Sequence, residues 1–145
     1  LLIDDMSTEI IADGKHLPGT ILKLVYKLKG VEKLSLVTAA LSYAAYEGEI
    51  PESDNIFIED GVCKLKKDKS LIGSIATMDT LVKTMVQKAD VPLMDAIRMA
   101  SETPAKVMGI LDRTGTLEEG KEANVVLMND KLDVTSVWLK GTKVK

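Results

Sequence analysis

One histidine and one cysteine are the side chains of this 145-residue sequence best suited to proton transfer or nucleophilic attack. The histidine, His16, ends the run Asp13-Gly14-Lys15-His16, which follows the apolar segment Glu9 to Ala12. Loops after strands often carry functional residues, and an imidazole can hydrogen-bond a carbonyl or phosphate oxygen. These residues alone leave two interpretations open: a histidine that contacts a ligand, and a surface histidine without a role.

The spacing of potential metal ligands argues against a metal site within this sequence. A catalytic zinc ion usually takes three protein ligands, and neither an HxH nor an HExxH pattern nor a Cys/His cluster is present. We therefore assign no metal ligand. The cysteine, Cys63, lies in a predicted hairpin strand, so we expect it to be structural rather than nucleophilic. A single cysteine cannot form an internal disulfide, which fits a reducing cytoplasm.

A strand, a helix and a second strand position the His16 loop. The strands are predicted at Glu9 to Ala12 and Leu34 to Thr38, and Gly30 closes the helix between them. At this length the unit is βαβ, with parallel strands and a right-handed crossover. Ligand sites of such units lie in the loops after the strands, which here begin at Asp13 and at about Ala39. The apolar residues expected on the buried face of the helix are Ile21, Leu24, Val25 and Leu28.

Two consecutive helices and a strand are predicted later in the chain. Asp90 can cap the first helix, with Pro92 as its second residue. Thr103 can cap a short second helix that starts at Pro104 and stops at Gly109. The apolar run Ala123 to Met128 is typical of a buried strand. The apolar face expected on the first of these helices is Leu93, Ala96, Ile97 and Ala100.

Turn residues predict two hairpins. One has strands at Ile56 to Ile58 and Val62 to Leu65 around Glu59-Asp60-Gly61, and the other joins Val134–Leu139 to Thr142–Val144 through Lys140-Gly141. We expect the chain from Ile56 to Leu65 and from Ala123 to Val144 to form one antiparallel cluster. Between them, Ser70 to Ser74 is predicted to be a loop that enters a helix near Thr77, with Ser74 as a capping residue in one interpretation.

Composition excludes several functional classes. The net charge of −3 and a pI near 5.2, without a basic cluster, argue against nucleic-acid binding. No apolar run approaches a membrane span and no signal peptide is visible, so we expect no membrane association and a cytoplasmic location. A complete (β/α)8 barrel typically needs about 250 residues, so the chain is expected to hold only part of one.

Five segments in a fixed order resemble one protein family. They read DGKH at 13–16, VTAA at 37–40, LIGS at 71–74, SETPAKVMGI at 101–110 and GTLEEGKEANVVL at 115–127. The order resembles the C-terminal part of the amidohydrolase superfamily and, within it, the N-acetylglucosamine-6-phosphate deacetylases. The resemblance implies an α/β fold: the C-terminal part of a metal-dependent-hydrolase (β/α)8 (TIM) barrel, plus strands of a small β-sandwich domain. Residues 1–55 and 70–112 would belong to the barrel, and residues 56–69 and 113–145 to the small β-domain.

The same resemblance implies an activity and a site. Such enzymes hydrolyse N-acetylglucosamine 6-phosphate to glucosamine 6-phosphate and acetate with a metal-activated water. The divalent metal, zinc or iron, would be held by histidines and a glutamate outside this chain, which by itself would bind none. The amino-sugar phosphate would be contacted by Asp13, Gly14, Lys15, His16, Leu71, Ile72 and Gly73.

One position departs from the family pattern. Where the family has the aspartate that shuttles the proton, this sequence has Ala39, and the next carboxylates, Glu47 and Glu49, lie too far past the strand end to replace it. General acid–base catalysis contributes about 10²–10⁴-fold, and alanine cannot supply it. We therefore assign no catalytic residue and expect this chain alone to be inactive. The alternatives are another amidohydrolase, such as a cyclic-amide hydrolase or a deaminase, and a non-catalytic sugar-phosphate-binding or structural fragment. We also expect a homo-oligomer, in which a second copy covers the open barrel edge.

Overall fold

Small sheets and short helices make up the residues that the computed structural model describes, 1–44 and 55–145. The fold is α/β. No helix in these ranges has the length and apolarity needed to cross a membrane. The elements in chain order are β1 (Thr8–Ile10), α1 (Gly19–Lys29), β2 (Leu34–Leu36), β3 (Ile56–Glu59), β4 (Val62–Leu65), β5 (Leu71–Ser74), α2 (Met78–Ala89), α3 (Leu93–Ala100), α4 (Glu102–Val107), β6 (Val125–Met128), β7 (Val134–Leu139) and β8 (Thr142–Lys143).

The strands β1 and β2 pair in parallel, with Thr8 opposite Leu34 and Ile10 opposite Leu36. The predicted parallel βαβ unit is therefore confirmed, although both strands are shorter than the sequence pattern suggests. Side chains from both strands and from α1, α2 and α3 form one buried core. Its largest fully buried members are Leu22, Leu34, Leu36, Leu81, Met85 and Met99.

Helix α1 buries a different stripe from the predicted one. Leu22, Val25 and Lys29 face the interior, whereas Ile21, Leu24 and Leu28 are 39%, 49% and 50% exposed. Two apolar stripes lie side by side on this helix, and periodicity alone cannot choose between them. Lys29 belongs to the buried stripe because its ammonium donates hydrogen bonds to the carbonyl oxygens of Ile3 and Met6, at 2.6 and 2.7 Å.

The predicted start of α3 is wrong. Asp90 does not cap α3 but ends α2, in a left-handed conformation with φ 54° and ψ 43° that aspartate tolerates better than most residues. Pro92 takes the N-cap position of α3. The predicted face is also only partly buried, because Ala96 is enclosed while Leu93 and Ile97 are each 38% exposed.

Helix α4 begins earlier than predicted and ends where predicted. Ser101 is its N-cap, so Thr103 lies inside the first turn, where its hydroxyl donates to the Val31 carbonyl at 2.8 Å. At the other end, the Gly109 N–H donates to Lys106 and the Ile110 N–H donates to Ala105. This is the Schellman pattern, and it confirms Gly109 as the glycine just past the helix.

The antiparallel strands form two sheets rather than the expected single cluster. The predicted hairpin β3–β4 is confirmed. Its turn passes through Asp60 and Gly61, which both have positive φ. The segment predicted as a loop, Ser70 to Ser74, instead contains β5, which pairs with β4. Backbone hydrogen bonding to β4 decided this, and local sequence carries little information about it.

A separate sheet has the order β6-β7-β8. The predicted hairpin between β7 and β8 is confirmed. Its turn is at Lys140 and Gly141, which both have positive φ. The expectation that β6 is buried is wrong for the described residues. Val126 and Leu127 are 53% and 49% exposed, because pairing with β7 satisfies the backbone of β6 without covering these side chains.

Candidate functional site

The loop after β1 is built around the buried carboxylate of Asp13. Its Oδ1 accepts hydrogen bonds from the backbone N–H groups of Lys15 and His16, each at 2.9 Å. Gly14 has φ 71°, a left-handed conformation in which a side chain would be strained, so glycine suits this tight turn. The segment Asp13-Gly14-Lys15-His16 is therefore a defined turn, in which Lys15 is exposed and Asp13 is enclosed.

The same carboxylate orients the imidazole of His16. Asp13 Oδ2 lies 2.8 Å from His16 Nδ1. An ionised carboxylate can only accept hydrogen bonds, so Nδ1 carries the proton and donates it. In neutral His16 this leaves Nε2 as an acceptor, and the side chain retains 20% exposure. Asp13 thus selects which imidazole nitrogen remains available to a ligand.

The surroundings of the Asp13 carboxylate lower its pKa. Burial acts to raise the pKa of Asp13. Hydrogen bonds from the backbone N–H groups of His16 and Lys15 and from the His16 side chain outweigh burial and hold this pKa below its ordinary value. Asp13 is therefore a stable anion in the native fold.

The carboxyl end of β2 meets the same place. Ala40 pairs in parallel with Ser74, and the Leu41 N–H donates to the Ser74 carbonyl at 2.9 Å. Ala39, just before this contact, is exposed and has φ 43°, a left-handed conformation that is uncommon for alanine. The chain thus brings together the ends of β1, β2 and β5. Glu47 and Glu49, the carboxylates considered as substitutes for an acid at position 39, lie outside the described residues.

The predicted contacts on β5 differ in their surroundings. Leu71 and Ile72 are 41% and 40% exposed, whereas Gly73 is buried against the side chain of Leu41. A Cβ atom on Gly73 would lie 2.8 Å from Leu41 Cγ, so the glycine makes room for this leucine. The start of α2 carries Asp79, whose charge already complements the helix N-terminus.

Sequence reasoning missed the role of Ser74. One interpretation of the sequence makes it a cap for α2, but the N-cap of that helix is Thr77. Ser74 Oγ instead accepts from the Ala76 N–H at 3.0 Å, and the Ser74 backbone pairs with Ala40 at the end of β2. No local signal reports a contact between residues so far apart in the sequence.

A groove with a cavity volume of about 730 Å³ lies away from the strand ends that carry Asp13 and Ser74. It separates α3 and α4 from the connector before β6, and its walls are mostly apolar. None of the residues at the ends of β1, β2 and β5 lines it. The groove has charged residues in its lining, among them Arg98, Glu102 and Glu122, but none of the predicted site residues.

A family model described as "Amidohydrolase family" matches residues 2–144. The chain belongs to the amidohydrolase family. It is 32% identical to the N-acetylglucosamine-6-phosphate deacetylase of Haemophilus influenzae over 97% of this chain and 38% of that protein. It is 30% identical to a putative N-acetylgalactosamine-6-phosphate deacetylase of Escherichia coli, covering 92% of this chain and 80% of that shorter protein.

Solved structures agree with these relatives. The N-acetylglucosamine-6-phosphate deacetylase of Pasteurella multocida superposes with a TM-score of 0.87 at 31% identity, over 98% of this chain and 38% of that one. An aspartate-to-alanine variant of the Mycobacterium smegmatis deacetylase, in complex with N-acetyl-D-glucosamine 6-phosphate, gives 0.83 at 30% identity, over 95% and 37%. This amidohydrolase chain thus spans less than half the length of the Haemophilus, Pasteurella and Mycobacterium deacetylases.

Amidohydrolases generally use a divalent metal ion. Within residues 1–44 and 55–145, no three His, Cys, Asp or Glu side chains are grouped so that they could hold one. The only histidine, His16, already directs Nδ1 to Asp13. The described donors therefore do not fit the family's metal ion.

Proposed function

We propose that this chain carries part of the substrate site of a deacetylase acting on an N-acetylhexosamine 6-phosphate. The observation that carries the proposal is that β5 ends at the Ala40–Ser74 bridge beside β2, the parallel neighbour of the strand that precedes the His16 loop. It brings two segments of family-like sequence to the ends of parallel strands, where βαβ units hold ligands. The similarity to deacetylases along nearly the whole chain supports the substrate class.

In this proposal each predicted contact has a chemical role. His16 presents Nε2 to an oxygen or hydroxyl of the sugar phosphate, and the exposed ammonium of Lys15 attracts the phosphate charge. Leu71 and Ile72 offer apolar surface to the sugar ring and its acetyl group. Asp13, Gly14 and Gly73 shape the backbone that presents these groups.

We further propose that the chain alone binds this ligand without hydrolysing it. Amide hydrolysis needs an activated water and a group that moves its proton, and Ala39 has no proton to exchange. In the complete reaction, the rest of a full-length deacetylase supplies the activated water and the proton-transfer group that the described residues lack. A solved deacetylase in which one aspartate is replaced by alanine holds N-acetyl-D-glucosamine 6-phosphate, which supports ligand binding by a deacetylase that lacks a carboxylate.

The architecture proposed with this function is a partial barrel and a small β-domain. The parallel pair β1–β2 supports the barrel assignment of residues 1–55 and 70–112, with residues 56–69 and 113–145 in the β-domain. The outer edge of β1 is free of strand partners in the described residues. That edge supports the prediction of a homo-oligomer, which sedimentation velocity at several concentrations tests.

Binding is tested with nitrogen-15-labelled protein. N-acetylglucosamine 6-phosphate and N-acetylgalactosamine 6-phosphate should each shift the His16 imidazole and Gly73 amide signals, whereas N-acetylglucosamine without phosphate and inorganic phosphate should act more weakly. The control is His16→Gln, which keeps a polar side chain but removes the imidazole. Absence of any shift with either sugar phosphate would refute the binding site and favour a structural fragment.

Turnover is measured separately as acetate release, with and without added zinc. We expect no release above a metal-only blank, both for the unmodified chain and for Ala39→Asp, because one restored carboxylate does not provide a metal site. Acetate release by the unmodified chain would contradict the assignment of binding without hydrolysis.

A further inference from the structure

The side chain of Lys88, in the last turn of α2, lies along the loop that carries His16. A Cβ atom on Gly19, at the start of α1, would be 3.2 Å from the Cβ of Lys88. A Cβ atom on Gly14, in the turn after β1, would be 3.5 Å from the Lys88 Cδ and 3.2 Å from its Nζ. The lysine stem therefore runs from one end of the loop to the other, and it delivers its ammonium to the turn.

The ammonium of Lys88 is close to the backbone of this turn. A Cα–Cβ bond is about 1.5 Å long, so Nζ lies within about 5 Å of the Gly14 Cα. Lys15 and His16 follow directly, and their N–H groups bind Asp13. Glycine at position 14 leaves the space that the ammonium occupies. The turn after β1 is thus flanked by a cation from a helix about seventy residues later in the chain.

The positive charge of Lys88 has no partner in residues 1–44 and 55–145. Its ammonium takes part in neither a hydrogen bond nor an ion pair there. Lys83, on the same helix, pairs with Asp133. The Asp13 carboxylate, which is 2% exposed, is instead occupied by three donors of its own turn. An exposed ammonium therefore stands beside a turn whose carboxylate is enclosed.

We propose that Lys88 is a phosphate-binding residue, whose ammonium forms an anion site with that of Lys15 at the turn after β1. A lysine ammonium binds phosphate as a point charge with three donors. Lys15 is exposed, and its flexible stem can bring a second ammonium to the same anion. The ligand class is a phosphate or a phosphate monoester. Assignment of the site to the 6-phosphate of an N-acetylhexosamine rests on the proposed function, whereas the anion site does not.

A purely structural role for Lys88 predicts a different pattern of effects. A cation in the last turn of a helix complements the helix dipole, and a lysine stem can cover apolar surface. The loss of either contribution would lower stability and would affect phosphorylated and neutral ligands alike. Only an anion site would distinguish N-acetylglucosamine 6-phosphate from N-acetylglucosamine.

Affinities are measured by titration of nitrogen-15-labelled protein, followed at the Gly14 and Lys15 amides. Lys88→Gln, which keeps the stem, should weaken the binding of N-acetylglucosamine 6-phosphate by about 2- to 5-fold, the range expected for an exposed ion pair. Its affinity for N-acetylglucosamine should not change. Lys88→Arg, which keeps the charge, should retain most of the affinity for the phosphate. In about 1 M salt, where the Debye length is about 3 Å, the effect of Lys88→Gln should disappear.

Lys27→Gln is the matched control. Lys27 is also an exposed lysine in the last turn of a helix, but it lies about 12 Å along α1 from Gly19. Its replacement should leave both affinities unchanged, with circular dichroism confirming the fold of each variant. An equal loss in Lys27→Gln, or an equal loss for N-acetylglucosamine in Lys88→Gln, would contradict the anion site.

Inorganic phosphate tests the anion site without the sugar. It should shift the Gly14 and Lys15 amides of the unmodified protein, and it should bind folded Lys88→Gln more weakly. If phosphate binding responds to Lys88 but neither sugar phosphate binds, the proposed function fails and the anion site stands. No response of the unmodified protein to inorganic phosphate, or an equal affinity in folded Lys88→Gln, overturns the proposal.

Discussion

Gly19 lies so close to the backbone of Lys88 that a Cβ atom on Gly19 would be 2.3 Å from the Lys88 carbonyl oxygen and 2.9 Å from its carbonyl carbon. The first turn of α1 therefore touches the last turn of α2 through main-chain atoms. Backbone atoms cannot move aside as the end of a flexible side chain can. This contact sets the distance between the two helices that support the His16 loop.

Gly19→Ala should consequently destabilise the protein. Overpacking of this kind costs about 1–3 kcal/mol, and the better helix propensity of alanine recovers at most about 1 kcal/mol. We expect a net loss of roughly 1–2 kcal/mol in the free energy of unfolding, measured by urea denaturation. Thr20→Ala, at the exposed next position, is the control. Equal stability of the two variants would show that the helices separate without cost.

The stability contribution of Asp13 should depend on acid pH. Its pKa is lower in the native fold than in the unfolded chain, so the native state binds protons less readily. The stabilisation is therefore fully present above about pH 3.9, the ordinary aspartate value, and is lost as the pH falls through the lower native value. Urea denaturation of the unmodified protein and Asp13→Asn should show a stability gap that narrows over this range. A gap that is constant down to the lowest pH would contradict an ionised carboxylate with three hydrogen-bond donors.

Ala39 and Ala40 should respond in opposite directions to the same substitution. Ala39 has φ 43°, in the left-handed region that costs L-residues about 1–2 kcal/mol, whereas Ala40 is outside the positive-φ set. Ala39→Gly should therefore raise stability by roughly 0.5–1 kcal/mol, after the entropy of glycine is subtracted. Ala40→Gly should lower it by about 0.4–1 kcal/mol. Thermal denaturation of both variants tests this, and destabilisation by Ala39→Gly would be inconsistent with a left-handed Ala39.

Cys63 should be protected from thiol reagents in the native state. The residue is fully buried, and burial raises the pKa of its thiol, so little thiolate is available. Reaction with a chromogenic disulfide should require opening of the fold and should accelerate when urea unfolds the protein. The destabilised Gly19→Ala variant should react faster than the unmodified chain under the same native conditions. Immediate reaction of the native protein would place Cys63 at the surface.

Local sequence rules predicted the parts of the fold that local interactions determine. Asp60-Gly61 and Lys140-Gly141 provide the positive φ values that tight hairpins require, and Gly109 ends α4 as its position suggested. Asp90 shows the limit of such rules, because the same residue type suits a helix start and a left-handed helix end. The packing of α2 against its neighbours, which the sequence pattern does not report, decided between them.

The candidate site likewise has a part that local sequence predicts and a part that it does not. Asp13 and His16 are three residues apart, so their turn could be anticipated from the DGKH segment. Ser74 reaches Ala40, at the end of β2, only after β5 has joined β4. That arrangement depends on tertiary contacts, and a segment such as LIGS is equally compatible with a loop. The resemblance to amidohydrolases indicated that the two segments share a site, without indicating which atoms join them.

The buried ammonium of Lys29 has a consequence for where this chain can be shortened. Its bonds to the carbonyl oxygens of Ile3 and Met6 clamp a mostly exposed segment onto the end of α1. Removal of the first seven residues would take away little apolar contact but would leave a nearly buried cation without these two acceptors. An unsatisfied buried group costs about 1–3 kcal/mol, and more when it is charged. The exposed N-terminal residues thus supply the hydrogen-bond acceptors of a charge in the interior. A chain trimmed of them would need a neutral residue at position 29 to recover its stability.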